Sequence, residues 1–282
     1  MNPIVRAALF TPGSQMAWLR TAPASSADVC IFDLEDSVLS SRTVEARGFV
    51  REAIRELHTR VPIWVRVNRV GGADFENDVA SLPLEHVSAL MLPKVEGVDE
   101  LDKCHMAVAR ASGRQDLPLV PLIETSSGAL ASLTIARSSF VFCLAFGRFD
   151  LSAELDVDPS EQSNPAMSVA RGLVVLASHA AGLPPPLDSP WLKVEDLEGL
   201  RKAAETARRD GFGGMLIIHP THVPTVKSAF RPTNTEITWA QRILTAAEQA
   251  SLQGRGAFLA GTDMADEATL RRARGILKEV GE

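Results

Sequence analysis

Short apolar runs alternate with amphipathic helical stretches along most of this 282-residue chain, and that alternation limits the folds open to it. The runs are Val5–Phe10, Val29–Phe32, Ile63–Val67, Ala89–Leu92, Leu119–Ile123, Val141–Phe146, a seventh near Leu187, and Met215–Ile218. Pro184, Pro185 and Pro186 crowd the seventh. Between the runs, apolar residues recur at a helical period: Val44, Val50, Ala53, Ile54 and Leu57 on one face, Val98, Leu101, Cys104 and Val108 on another. Pro165 reads as a first-turn proline capped by Asn164, and Gly211 as a helix end. Eight strands alternating with helices predict an α/β fold, a TIM-like (β/α)8 barrel. The length suits one such domain, and 45% hydrophobic residues supply a core for it.

A barrel of this kind works at the C-terminal ends of its strands. The residues there are Thr11-Pro12-Gly13, Asp33-Leu34-Glu35-Asp36, Arg66-Val67-Asn68, Pro93-Lys94, Glu124-Thr125, Gly147-Arg148-Phe149-Asp150, Asp188 and His219-Pro220. Asp33, Glu35 and Asp36 fall within four positions, and crowded carboxylates resist desolvation. Arg66 and Lys94 are candidate fixed cations beside them, and a divalent ion is a third source of positive charge. Glu124 and Asp150 follow neighbouring strands with few cysteines or histidines nearby. Oxygen ligands of this kind suit Mg²⁺, with water and substrate completing the shell; pairing of each carboxylate with Arg or Lys is the alternative. Arg66 can grip a carboxylate or thioester oxygen with two prongs, or form a structural ion pair with Asp33 or Asp36.

Other features exclude more than they assign. Lys plus Arg number 29 against 35 Asp plus Glu, a net charge of −6 with no basic cluster, which argues against a nucleic-acid partner. Cys30, Cys104 and Cys143 are widely spaced and form no metal-binding pair. Free thiols, together with an N-terminus lacking a secretion signal and runs too short to span a membrane, predict a cytoplasmic protein with no membrane association. His219 and His222 form H-x-x-H, but Pro220 interrupts a shared helix face. His219 is expected to be a hydrogen-bonded structural residue and His222 an exposed loop residue. The glycines at Gly71-Gly72 and Gly211–Gly214 read as turns, since no phosphate-loop pattern occurs.

Nine segments, taken together and in order, resemble the citrate lyase β-subunit-like branch of the HpcH/HpaI aldolase superfamily, which includes malyl-CoA and citramalyl-CoA lyases. They are RAALFTPG, DLEDSV with EAR downstream, VRVN, LPKVE, IET, FGRFDLSAELD, GFGGMLIIHP, FRPTNTEITWAQRIL and GTDMADEATLRRA. The resemblance runs from Arg6 to Arg274. It implies a barrel over 1–230 and a C-terminal helical extension over 231–282 that packs on a neighbouring subunit, with a homotrimer as the expected assembly. It assigns Mg²⁺ to Glu124 and Asp150, substrate contact to Arg66 and Glu124, and an acid–base role across a subunit interface to Asp266. Asp33 and Glu35 would support the site, with Asp36 and Lys94 beside them. The implied reaction is Mg²⁺-dependent carbon–carbon cleavage of a 3-hydroxyacyl thioester, on CoA or an acyl carrier, into a 2-oxo acid and an acyl thioester. A metal-dependent aldolase or thioester hydrolase, or a non-catalytic partner-dependent subunit, are the alternatives. The chain departs from the family pattern at Met215, where lysine is frequent, at His222, where glutamine is, at Ala268, where proline is, and at Arg148, a position usually uncharged.

Overall fold

The computed structural model describes residues 4–159, 164–252, 258–260 and 263–281. The chain divides into two compact units, Met1–Phe230 and Arg231–Glu282.

In the first unit eight strands close a parallel barrel in sequence order: β1 (Ala7–Pro12), β2 (Val29–Asp33), β3 (Ile63–Arg66), β4 (Ala89–Leu92), β5 (Leu119–Ile123), β6 (Ala145–Phe146), β7 (Leu187–Asp188) and β8 (Gly214–Ile217). The helices around it are α1 (Met16–Thr21), α2 (Thr43–Leu57), α3 (Ala73–Ser81), α4 (Val98–Ser112), α5 (Ser126–Ala136), α6 (Arg148–Glu154), α7 (Pro165–Ala180), α8 (Leu197–Asp210) and α9 (His222–Ala229). Each predicted strand has its counterpart. β1 lies two residues further along than the apolar run, because its ladder with β2 continues to Pro12 opposite Asp33. The Val141–Phe146 run is a strand only at Ala145–Phe146; Val141 bridges Leu119 separately.

Two apolar layers follow from the period of two along each strand. Ala8, Ile31, Trp64, Met91, Leu122, Ala145, Leu187 and Leu216 fill the barrel interior. Leu9, Cys30, Phe32, Val65, Leu90, Ile123, Phe146 and Ile217 face the helices. The three cysteines are buried thiols.

Local signals end the helices as their chemistry requires. Asn164 caps α7 by accepting from the Met167 N–H at 3.1 Å, with Pro165 in the first turn. Gly211, at φ +100°, closes α8 in the left-handed region open to glycine. The expected apolar face of α2 is corrected at its start: Val44 is 79% exposed, while Ala46 and Arg47 are buried. Arg47 is accommodated because Nε reaches Asp78 and Nη2 reaches Asp74, each at 2.7 Å.

The second unit comprises α10 (Asn234–Leu252), an antiparallel pair β9 (Phe258–Ala260) and β10 (Asp263–Ala265), and α11 (Glu267–Val280). Ala240, Ile243, Leu270, Ala273 and Leu277 form its core between the two helices. A helix is expected from Glu236 to Gln253, and α10 covers it to Leu252; Gln253, and Gly261-Thr262 of the last motif, lie outside the described residues. Among the described residues no helix is long and apolar enough to cross a membrane.

Candidate active site

Period-two alternation continues past the last apolar residue of each strand and aims the next inward side chain at the barrel mouth. After Ile31 this is Asp33; after Trp64, Arg66; after Leu122, Glu124; after Ala145, Gly147; after Leu216, Ile218. These residues, with Phe10, Phe149, Asp150, Pro190 and Leu192, surround a cavity of about 450 Å³.

Asp33 is 2% exposed and fully engaged. Arg66 donates to both its oxygens, Nε to Oδ1 and Nη2 to Oδ2, each at 2.7 Å. The N–H groups of Glu35 and Ser37 donate to it at 3.0 and 3.2 Å. Burial raises the carboxyl pKa of Asp33, but Arg66 more than offsets this and holds it below its ordinary value. The third prong of Arg66, Nη1, lies 2.9 Å from Glu35 Oε2 and 3.4 Å from Asp36 Oδ2. The Glu35 contact is ionic rather than a well-aligned hydrogen bond, since that oxygen has no hydrogen-bond partner. Burial works against the charge on Arg66; Asp33, Glu35 and Asp36 reverse it and keep the guanidinium firmly protonated. The Arg66 guanidinium also sits 4.8 Å from the Phe10 ring centre.

Lys94 ties the other half of the mouth together. Its Nζ is 3.0 Å from Glu35 Oε1 and 3.2 Å from Asp150 Oδ1. Its backbone N–H donates to Glu124 Oε1 at 2.9 Å. Lys94 achieves this with φ +52°, a left-handed conformation that costs a non-glycine residue on the order of 1 kcal/mol. Burial weakens the charge on Lys94, but Glu35, Asp36 and Asp150 restore it and raise its pKa.

Glu124 is the least compensated member. It is 3% exposed, and burial, then Asp150, then Glu35 push its pKa up to about 8, against opposing contributions from Arg66 and the Lys94 N–H. Gly147 is what leaves room for it: a Cβ there would lie 2.5 Å from Glu124 Cβ and Oε2. The mouth thus holds five carboxylates, Asp33, Glu35, Asp36, Glu124 and Asp150, around two cations, Arg66 and Lys94. Surplus negative charge in a buried, oxygen-only setting is the chemistry of a hard divalent cation. Among the described residues no cluster of three or more His, Cys, Asp or Glu is arranged as a metal cage. Glu124 and Asp150 alone would leave most of the shell to water and ligand, as Mg²⁺ commonly requires.

Outside this centre, several strand-end residues do other work. Asn68 holds the ends of β2 and β3 together by donating from Nδ2 to the Leu34 carbonyl at 2.9 Å and to Asp78 at 2.8 Å. Thr125 caps α5 by accepting from Gly128 at 3.0 Å. Asp188 faces the helices, where it pairs with Arg171 of α7. Met215 lies opposite it in the ladder and also faces the helices. The expectation for His222 is overturned: it opens α9 fully buried, with Nε2 2.9 Å from the Val194 carbonyl. His219 meets its expectation of a hydrogen bond, Nδ1 lying 2.7 Å from Thr221 Oγ1. In the second unit Asp266 is exposed and caps α11, accepting from the Thr269 N–H at 2.9 Å; that bond lowers its pKa. The apolar rim of the mouth, Phe10, Phe149, Leu192 and Ile218, receives no role in the sequence reading, which assigns roles to charged strand-end residues. The alternation itself was the signal for Phe10 and Ile218.

A closed parallel barrel with charged groups converging at its C-terminal strand ends defines a (β/α)8 protein of the kind whose chemistry occurs in that mouth. The chain belongs to the HpcH/HpaI aldolase/citrate lyase family, whose profile matches residues 6–220. It is 32% identical over 278 residues to a citrate lyase subunit beta-like protein of Mycobacterium tuberculosis, covering 97% of this chain and 95% of that one. It is 30% identical over 275 residues to a (3S)-malyl-CoA thioesterase of Cereibacter sphaeroides, covering 96% and 93%. Among solved structures, CitE of Mycobacterium tuberculosis in complex with magnesium, acetoacetate and coenzyme A superimposes with a TM-score of 0.83 at 30% identity over the whole of both chains.

Proposed function

We propose that this protein is a Mg²⁺-dependent carbon–carbon lyase acting on a 3-hydroxyacyl thioester of the malyl, citramalyl or citryl type, releasing a 2-oxo acid and an acyl thioester. The observation that carries the reading is Glu124, buried and only partly compensated, beside Asp150 in a charged barrel mouth. Glu124 and Asp150 would hold the cation, which when bound supplies Lewis-acid polarisation of the substrate's hydroxyl and carboxylate oxygens. Arg66 keeps its charge beside Asp33 and lines the cavity, so it can stabilise negative charge growing on a substrate oxygen. Asp33 fixes the orientation of that guanidinium. Lys94 limits repulsion between Glu35 and Asp150. Phe149, Leu192 and Ile218 would exclude water from the reacting carbon. Asp266 would serve as the acid–base group at the enolate carbon, supplied by a neighbouring subunit in a closed oligomer, for which a homotrimer is the family-based expectation.

The magnesium, acetoacetate and coenzyme A held by the similar CitE structure support the cofactor and a CoA thioester substrate. A second reading, thioester hydrolysis at the same mouth, draws on the similarity to the malyl-CoA thioesterase. Incubation of the pure protein with Mg²⁺ and a panel of malyl, citramalyl and citryl thioesters separates the two. Lyase chemistry yields a 2-oxo acid and leaves the thioester bond intact; hydrolysis yields free thiol. No turnover of any member by the isolated chain would instead favour a partner-dependent subunit.

A further inference from the structure

A second cavity, of about 510 Å³, lies in the helical layer rather than in the mouth. Uneven helix pairing opens it. α7 packs along α5 and α8 packs along α9, while α7 and α8 barely meet. Gly172 of α7 lines the gap, and a Cβ added there would meet nothing within 4 Å. The inner wall comes from outward-facing positions of β7 and β8, Asp188 and Met215.

Two arginines reach this space and differ in one respect. Arg171 is matched: it pairs with Asp188, donates to Asp210 at 2.9 Å, and stacks 4.7 Å from the Phe212 ring centre. Arg148, from the first turn of α6, is not. Among the described residues its guanidinium makes no ion pair, and its Nε is buried without a hydrogen-bond partner. Its backbone is fixed nonetheless, the N–H donating to Ser189 Oγ at 2.8 Å. Trp191 lines the same cavity with its ring, while its indole N–H is buried out of reach of that space.

A buried donor left without an acceptor is destabilising, the more so when it is charged. A guanidinium that lines a cavity and has no carboxylate of its own among the described residues is the feature of an anion site. Its volume far exceeds the roughly 30 Å³ share of one water and falls in the range of about 300–1,000 Å³ typical of small-molecule sites. We propose that the cavity between α7 and α8 binds a small organic or inorganic anion, whose carboxylate or phosphate oxygens accept from the Arg148 guanidinium. The site is separate from the mouth: of the residues lining the two cavities, only Pro190 belongs to both.

Calorimetric titration of the full chain in chelator, with succinate in one arm and inorganic phosphate in the other, tests this and tells a carboxylate from a phosphate ligand. At least one probe should bind saturably and with equal affinity to wild type and Glu124→Gln. The same probe should bind at least about tenfold more weakly to Arg148→Gln, the loss expected for one charge-assisted contact. Gly172→Leu, which narrows the opening from an exposed helix position, should weaken it similarly and decides the matter if Arg148→Gln does not fold. Binding that survives in Arg148→Gln, or that disappears in Glu124→Gln instead, overturns the proposal. So does the absence of saturable binding of either probe up to about 10 mM.

Discussion

Arg66 and Asp33, at the ends of adjacent strands β3 and β2, meet through two parallel hydrogen bonds of 2.7 Å each. The guanidinium is therefore spent largely on orientation before any substrate arrives. Lysine keeps the charge but cannot form the fork. Arg66→Lys should lose about 1–3 kcal/mol of stability in urea unfolding. Its kcat/KM should fall by an amount worth roughly 2–4 kcal/mol. An unchanged urea midpoint would show the pair to be unimportant for folding and leave only the catalytic role.

Glu124 gives a pH signature in chelator-treated protein. Its folded pKa of about 8 lies above the ordinary 4.5, so between these values the folded state holds a proton that the unfolded state releases. The stabilising contribution is complete below the ordinary value and is lost as pH rises through about 8. Wild type should become less stable relative to Glu124→Gln from about pH 5 to about pH 9 in urea titrations. Mg²⁺ affinity should climb over the same range, because the ligand must be deprotonated. Parallel stability profiles for the two proteins would refute the assignment.

Gly147→Ala probes the floor of the mouth without touching a charge. The new Cβ would sit 2.5 Å from Glu124, which must move. Displacement of a catalytic group by about 1 Å can cost on the order of 10²-fold in rate, and a kcat/KM loss of that size is expected here, together with weaker Mg²⁺ binding in calorimetry. Wild-type kinetics in this variant would show that Glu124 can turn aside harmlessly.

Asp266 has a capping role in its own chain and a proposed acid–base role in a neighbour's site. Asparagine caps nearly as well as aspartate, so Asp266→Asn should melt like wild type, whereas Asp266→Ala should lose about 1 kcal/mol. Both should be nearly inactive. Asp266→Asn and Glu124→Gln, unfolded and refolded together, should regain activity, since some interfaces then join an intact Asp266 to an intact Glu124. Mixed oligomers verified by mass spectrometry yet without activity would exclude donation between subunits.

The sequence by itself determined the barrel and the inward direction of several site residues. Apolar alternation is a local property, legible within a few positions, and extending it by one step aims Asp33, Arg66 and Glu124 into the mouth. Chain-order segments were enough to place the family. The structure alone decided which partner each charge takes. Arg66 joins Asp33 across 33 positions, and Lys94 joins Glu35 across 59. No local pattern encodes such a choice, because it depends on where the strand ends meet after closure. The same holds at Asp188 and at the misread His222. Asp188 is a strand-end carboxylate like the others, but it falls on the helix-facing step of β7 and is neutralised by Arg171. His222 looked exposed because it adjoins a proline-containing turn, yet it is buried beneath the Val194 carbonyl, which lies 28 residues earlier in the chain. Side-chain direction follows from local geometry, whereas burial and charge pairing are set by packing between distant segments.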